Sequence, residues 1–332
     1  TQLLVSAVLI TGAAMLLGLP LRPAVVIGFA LALSSTAIVL RILQERFEVD
    51  SAHGRTVLSI LLFQDICVIF FIVLLPLIAS GDGFAINRYE VLRSVLILVG
   101  IFVGARYLLR PLLRNLMVTR SAELFRLTVL VLVLGTAWLT YLAGLSLALG
   151  AFLAGLALAE SDYSHQALSD IIPFRDAFMA IFFIAMGMFV DLNLLVEKWP
   201  IILGLTLLLA LIKFAAGSVG ALWTRFPLRT CLICGFLLFQ GGEFSFILLR
   251  QASTLGIFSD EVYQRLLSVV ALTMLATPIV MPQATRLANF IADRFGAAPD
   301  EVVEEETTGL RDHVVIAGYG ISGRSVSRVL RE

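Results

Sequence analysis

Uninterrupted apolar stretches, each about as long as a bilayer is thick, recur along this chain and constrain it more than any other feature. A helix needs about 20 mostly apolar residues to cross the hydrocarbon core. Ten stretches meet that description, at roughly 2–19, 24–43, 55–79, 92–109, 124–143, 146–160, 174–190, 200–223, 229–250 and 262–291. The pieces between them are short and rich in Arg, Gly, Pro, Asp and Ser. Lipid offers no hydrogen bonds, so a spanning backbone must be helical or belong to a closed barrel. Barrel strands are excluded, because these stretches are continuous and about twice the ~10-residue alternating segments that a barrel uses. The fold class is therefore an all-α polytopic membrane protein. Charged residues make up 14% of the chain, against ~25% in soluble domains. With 24 basic and 24 acidic residues, no net field points to a nucleic acid as partner.

The basic residues orient the bundle. If the segment after the second stretch is cytoplasmic and the spans alternate, the inner side holds thirteen basic residues and the outer side six. That bias places the C-terminus in the cytoplasm. Three cysteines build no disulfide framework. Cys231 and Cys234 form a C-x-x-C without a second pair or a nearby His, which reads as helix packing and not as a zinc site. The chain opens on Thr1 without the basic segment of a signal peptide. Upstream residues are expected before it, and further residues after Glu332.

Ionisable groups within a span are costly, so each is a functional hypothesis. Asp65 lies mid-stretch in LLFQDICVIF, next to Gln64. An unpaired carboxylate there loses its hydration and must be neutralised by a proton, a metal cation or a basic partner. A group able to choose among these is what proton-coupled cation exchange requires, with potassium or sodium at Asp65. Lys213, in LLLALIKFAAG, is the only lysine within a stretch, and Asp65 is its expected partner. Glu243 follows Gly241-Gly242 in FLLFQGGEFSF, and adjacent glycines allow a helix to break around a polar cavity. Ser34-Ser35-Thr36 in LALSSTAIVL marks a similar weak point, whose hydroxyls can meet opened backbone groups. Two interrupted helices running in opposite directions are a mark of inverted-repeat transporters, whose sites lie at the midplane. His165 and Asp170 fall in an expected inner loop, ESDYSHQALSDIIPFRD, either simply solvated or a regulatory contact surface.

Residues 1–295 thus form a transmembrane unit. Residues 296–311 are acidic and polar, as in a linker. Residues 312–332 read as the first β-α unit of a Rossmann-like domain, with a β-branched run, then GYGISG, then a helical segment. Gly318 would make the tight turn, Gly320 would admit a pyrophosphate and Gly323 would allow close helix–strand packing. The acidic ribose-binding residue would fall beyond Glu332, so the choice of nucleotide stays open.

The runs LALSSTAIVLRILQER, LLFQDI, ALGAFLAGLALAES, PFRDAFMAIFFIAMGMFVDL and FQGGEFSFILL resemble the Kef-type potassium:proton antiporters of the cation:proton antiporter-2 family. The resemblance covers nearly the whole chain. It implies an inverted-repeat antiporter fold with two broken crossing helices, further N-terminal helices, and a bacterial inner membrane. Gln64 and Asp65 would be the ion-binding pair, Lys213 the basic residue of the opposing helix, and Ser34–Thr36 with Gly241–Glu243 the breaks. A homodimer, an ancillary regulatory subunit, and an NAD(H)- or AMP-like nucleotide at the C-terminal domain are likewise implied. One departure stands out: glutathione-gated members are more acidic before the Pro-Phe pair, where this chain has SHQALSDIIPF.

The expected function is secondary active exchange of a monovalent cation for protons, not an enzymatic reaction. Loaded with either ion, Asp65 passes a hydrophobic barrier; empty and ionised, it faces a cost of several kcal/mol. Lys213 would hold the empty site. A ligand-gated potassium channel is the alternative, but no TVGYG-like filter is present. A membrane-bound NAD-dependent oxidoreductase would need a substrate domain, which residues 1–332 do not supply.

Overall fold

The computed structural model describes residues 1–79, 122–143, 147–161, 164–222 and 226–294, with 96, 100, 103, 104, 107, 314 and 326–330. Among them the apolar stretches fold as helices and no strand occurs. In chain order the helices are α1 (Gln2–Leu16), α2 (Leu21–Ala32), α3 (Thr36–Glu45), α4 (Ala52–Ala79), α5 (Ala122–Leu142), α6 (Leu147–Ala159) and α7 (Ser164–Met188). Then follow α8 (Leu192–Glu197), α9 (Trp199–Leu222), α10 (Leu228–Leu238), α11 (Glu243–Thr254), α12 (Asp260–Val280), a 3-10 turn (Met281–Gln283) and α13 (Ala284–Arg294).

Local chemistry sets several ends. Gly18 takes φ +91° after α1, and the N–H groups of Gly18 and Leu19 return to the carbonyls of Met15 and Ala14. Gly256 repeats the device after α11, at φ +70°, on Ser253 and Ala252. This is the left-handed helix stop that glycine adopts without a Cβ penalty. Asp191 caps α8 through Asn193 and Leu194, and Ser259 caps α12 through Val262.

The burial pattern is that of a bundle in lipid. On α9, Leu203, Leu207 and Leu211 face outward while Thr206, Lys213 and Ser218 face inward. Water would penalise that arrangement; hydrocarbon favours it. Among the described residues six helical segments are long and apolar enough to span a membrane, with α2–α3 and α12–α13 each taken as one, or seven with the pair α10–α11, which is bent by 47° at its break. The remaining stretches differ. Residues 2–19 and 146–160 yield helices of 15 and 13 residues, shorter than the ~20 a perpendicular crossing takes. Most of 92–109 lies outside the described residues. The stretch 262–291 is not one uniform helix: Pro282 falls in a 3-10 turn, and α13 beyond it is amphipathic, burying Ala284, Ala288 and Ala292.

A second correction concerns the expected inner loop at 160–176. Ser164 opens α7, so His165 and Asp170 lie on a helix that runs through Pro173. The reason is packing: Ala167 and Ile171, four apart, join Phe125, Val129 and Leu158 in an apolar cluster. Asp170 faces Arg126 of α5 at 3.5 Å. The glycines of the C-terminal motif, Gly318, Gly320 and Gly323, lie outside the described residues.

Candidate functional site

Two interruptions meet at the centre of the bundle. Helix α2 stops at Ala32 and α3 resumes at Thr36; α10 stops at Leu238 and α11 resumes at Glu243. Each break frees N–H and C=O groups that lipid cannot satisfy. A Cβ on Gly242 would lie 2.7 Å from the Ser34 carbonyl oxygen, 2.8 Å from its carbon and 3.3 Å from the Ser35 nitrogen. Only glycine lets the two backbones touch there. The expected breaks at Ser34–Thr36 and Gly241–Glu243 are thus brought together.

Side chains meet the opened groups in turn. The Ser34 hydroxyl donates to the Leu238 carbonyl at 3.0 Å. The Ser245 hydroxyl donates to the Ala30 carbonyl at 2.6 Å and accepts from the Gly242 N–H at 3.2 Å. The Gly241 N–H donates to Thr273 Oγ1 at 3.1 Å, and the Ser35 hydroxyl accepts from the Ile38 N–H at 3.3 Å. The Ser34 N–H donates to Gln64 Oε1 at 2.7 Å.

Lys213 overturns an expectation. Its ammonium donates to the carbonyls of Leu31 (3.1 Å), Ala32 (3.0 Å) and Leu33, the opened end of α2. An ammonium has three protons, and all three are engaged. The expected ion pair with Asp65 is not formed. Lys213 is fully buried, and there it neutralises the partial negative charge at a helix C-terminus. Three converging carbonyls satisfy every ammonium proton, whereas one carboxylate would leave some unmet.

Asp65, on α4, is half-buried and accepts a hydrogen bond from the Thr36 hydroxyl at 3.0 Å. Among the described residues it has no basic partner. Thr36 is the first residue of α3, as Glu243 is of α11, so both border the breaks. Glu243 lies within electrostatic reach of Asp65, and its Oε2 is buried without a hydrogen-bond donor. Gln240 Oε1 is a second buried oxygen in this state. Unmet buried acceptors are rare and costly, and oxygen acceptors of this kind suit a hard cation.

Sequence reasoning missed Gln2, Gln240, Ser245 and Thr273. Gln2 and Gln240 carried a signal, being amides beside apolar runs; Ser245 and Thr273 are too common in membrane helices to stand out. The side chain of His165 lies outside the described residues, and Asp170 is not part of this constellation. Asp170 pairs with Arg126 away from it.

Residues 1–285 match the family model described as "Sodium/hydrogen exchanger, transmembrane". The chain is 40% identical over 321 residues to the chloroplastic K(+) efflux antiporter 2 of Arabidopsis thaliana, covering 93% of this chain and 27% of that protein. It is 39% identical over 320 residues to the chloroplastic K(+) efflux antiporter 1 of the same plant, with the same coverage. A third relative, provisionally named K(+) efflux antiporter KefB, from Alkalimonas amylolytica, is 39% identical over 321 residues, 93% of this chain and 48% of the relative. The chain therefore spans between about a quarter and a half of the relatives' length. A polytopic helical bundle, two helices interrupted where they touch, a mid-span carboxylate and a match over residues 1–285 lead to one conclusion: the chain belongs to the sodium/hydrogen exchanger transmembrane family.

Proposed function

We propose that the chain is the exchange domain of a Kef-type monovalent-cation:proton antiporter, with potassium as the cation. The observation that carries this reading is Asp65, a carboxylate within a span whose one hydrogen-bond donor among the described residues is a neutral hydroxyl. With Lys213 committed to α2, the charge on Asp65 is left for a mobile cation or a proton. A bound proton and a bound cation are mutually exclusive ways to neutralise it, which is the basis of exchange. The Thr36 hydroxyl can donate to the bare carboxylate or turn its lone pairs to a cation. Gln240 Oε1 and Glu243 add oxygens at the crossing.

Alternating access follows as the two broken helices and their neighbours, built as inverted repeats, rock about the site. The empty, ionised carboxylate is held back by a desolvation cost of several kcal/mol, which couples the two fluxes. Potassium is favoured by the names of the relatives, two K(+) efflux antiporters among them. The excess of basic residues on one side supports a cytoplasmic C-terminus, and the resemblance to Kef-type antiporters supports a bacterial inner membrane. Residues 312–332 then open a nucleotide-binding regulatory domain, and the working unit is a homodimer.

The test is dye-monitored proton movement in proteoliposomes under potassium, sodium and lithium gradients in turn. Cation-driven proton movement, lost in Asp65→Asn while the protein still folds, is the expected result. Full coupled exchange by Asp65→Asn, or cation flux without proton movement, would refute the reading.

A further inference from the structure

Gln64 does more than sit beside Asp65. The Ser34 N–H is a donor released by the break, and a backbone N–H can only donate. It turns Gln64 so that Oε1 accepts at 2.7 Å, leaving Nε2 to donate to Gln2 Oε1, also at 2.7 Å. Gln2 must then present its own Nε2 onward, and it donates to Ser6 Oγ at 3.0 Å. The orientation of both amides, ordinarily ambiguous, is thus fixed by one backbone group at the end of the row. The row is sealed: Gln64 and Ser6 are 0% exposed, Ser34 2% and Gln2 3%.

We propose that Gln2 is a positioning residue of the exchange site: through Gln64 it holds the Ser34–Ser35 break, and so sets the Thr36 hydroxyl against Asp65. The proposal rests on the reading of Asp65 as the exchanging carboxylate. Gln64 precedes Asp65 on α4 and grips the break; Ser35 caps α3; Thr36, the first residue of α3, donates to Asp65. A shift of the break therefore moves one group of the cation site against another. The same row engages Gln64 Oε1 with Ser34 in this conformation, so Gln64 acts here on the backbone and not as a free ligand. Among the described residues the hydrogen bonds of the Gln2 side chain go to Gln64 and Ser6, and not to Asp65 or Thr36.

The experiment uses the complete protein in proteoliposomes and reads half-saturating concentrations of potassium, sodium and lithium together with the maximal rate. Gln2→Leu strands Gln64 Nε2. It should raise the half-saturating concentration about tenfold and narrow the differences among the three cations, with the maximal rate changed less than about twofold. Gln2→Glu keeps an acceptor toward Gln64, with the Ser6 hydroxyl turning to donate, and should return to within about threefold of the unaltered protein. Gln2→Leu combined with Gln64→Leu should be no worse than the worse single variant, because the two act as one unit. Unchanged half-saturation in Gln2→Leu, equal damage from Gln2→Glu, or effects that multiply would each overturn the proposal. Should Gln2→Leu not fold, Ser6→Ala replaces it; a rise of about two- to fivefold supports the row, and no rise overturns it. Coupled exchange that is indifferent to these variants sinks this proposal alone. An unaltered protein without exchange in any gradient sinks the reading of Asp65 as well.

Discussion

Replacing Lys213 by Met separates two accounts of this lysine. Methionine keeps the length of the side chain and removes the three protons that meet the carbonyls of Leu31, Ala32 and Leu33. A buried acceptor stranded without a donor costs about 1–3 kcal/mol, so three strand roughly 3–9 kcal/mol. Removing the ammonium returns the several kcal/mol of its own burial. The balance is a loss of about 2–4 kcal/mol, or a melting temperature lower by roughly 3–6 °C for a chain of 332 residues. The assay is thermal unfolding of the purified protein in detergent, followed by tryptophan fluorescence and by the monodisperse fraction on size exclusion. If Lys213 were the counter-ion of Asp65, Lys213→Met would instead leave an uncompensated carboxylate, and Asp65→Asn added to it would restore stability. Parental stability in Lys213→Met, or rescue by Asp65→Asn, would refute the assignment of Lys213 as the cap of α2.

Gly242→Ala should lower stability by about 1–3 kcal/mol, because both sides of the contact with Ser34 are backbone and neither can swing aside; a melting temperature equal to the parent's would contradict the touching breaks. Thr36→Val keeps the β-branched shape and removes the donor to Asp65. It should change the apparent cation affinity about fivefold with little effect on melting, read from the same liposome assay. Asp170→Asn should shift stability by less than about 1 kcal/mol, since its partner Arg126 is about half exposed; a large loss would mean that the pair holds α5 against α7.

Much of the architecture is local, and so it is legible in the sequence. Apolar length fixes helices, because lipid leaves the backbone no other way to satisfy itself. Gly241-Gly242 and Ser34-Ser35 announce the two breaks through their own chemistry, and Asp65 declares itself by being ionisable where ionisation is costly. What could not be read is which group answers which. Lys213 bonds a carbonyl 180 positions away, and Gln64 bonds Gln2 across 62. By charge alone the lysine should have met the carboxylate. It turned instead to a helix end, because three carbonyl dipoles at bonding distance satisfy an ammonium more completely than one half-buried carboxylate does. The helical start of α7 hid for a related reason: Ala167 and Ile171 look like loop residues until Phe125 and Leu158 supply the surface they bury. Polarity and period along the chain set the helices, their interruptions and the carboxylate. The partner of each buried polar group depended on which backbone ends the folded bundle brought within about 3 Å.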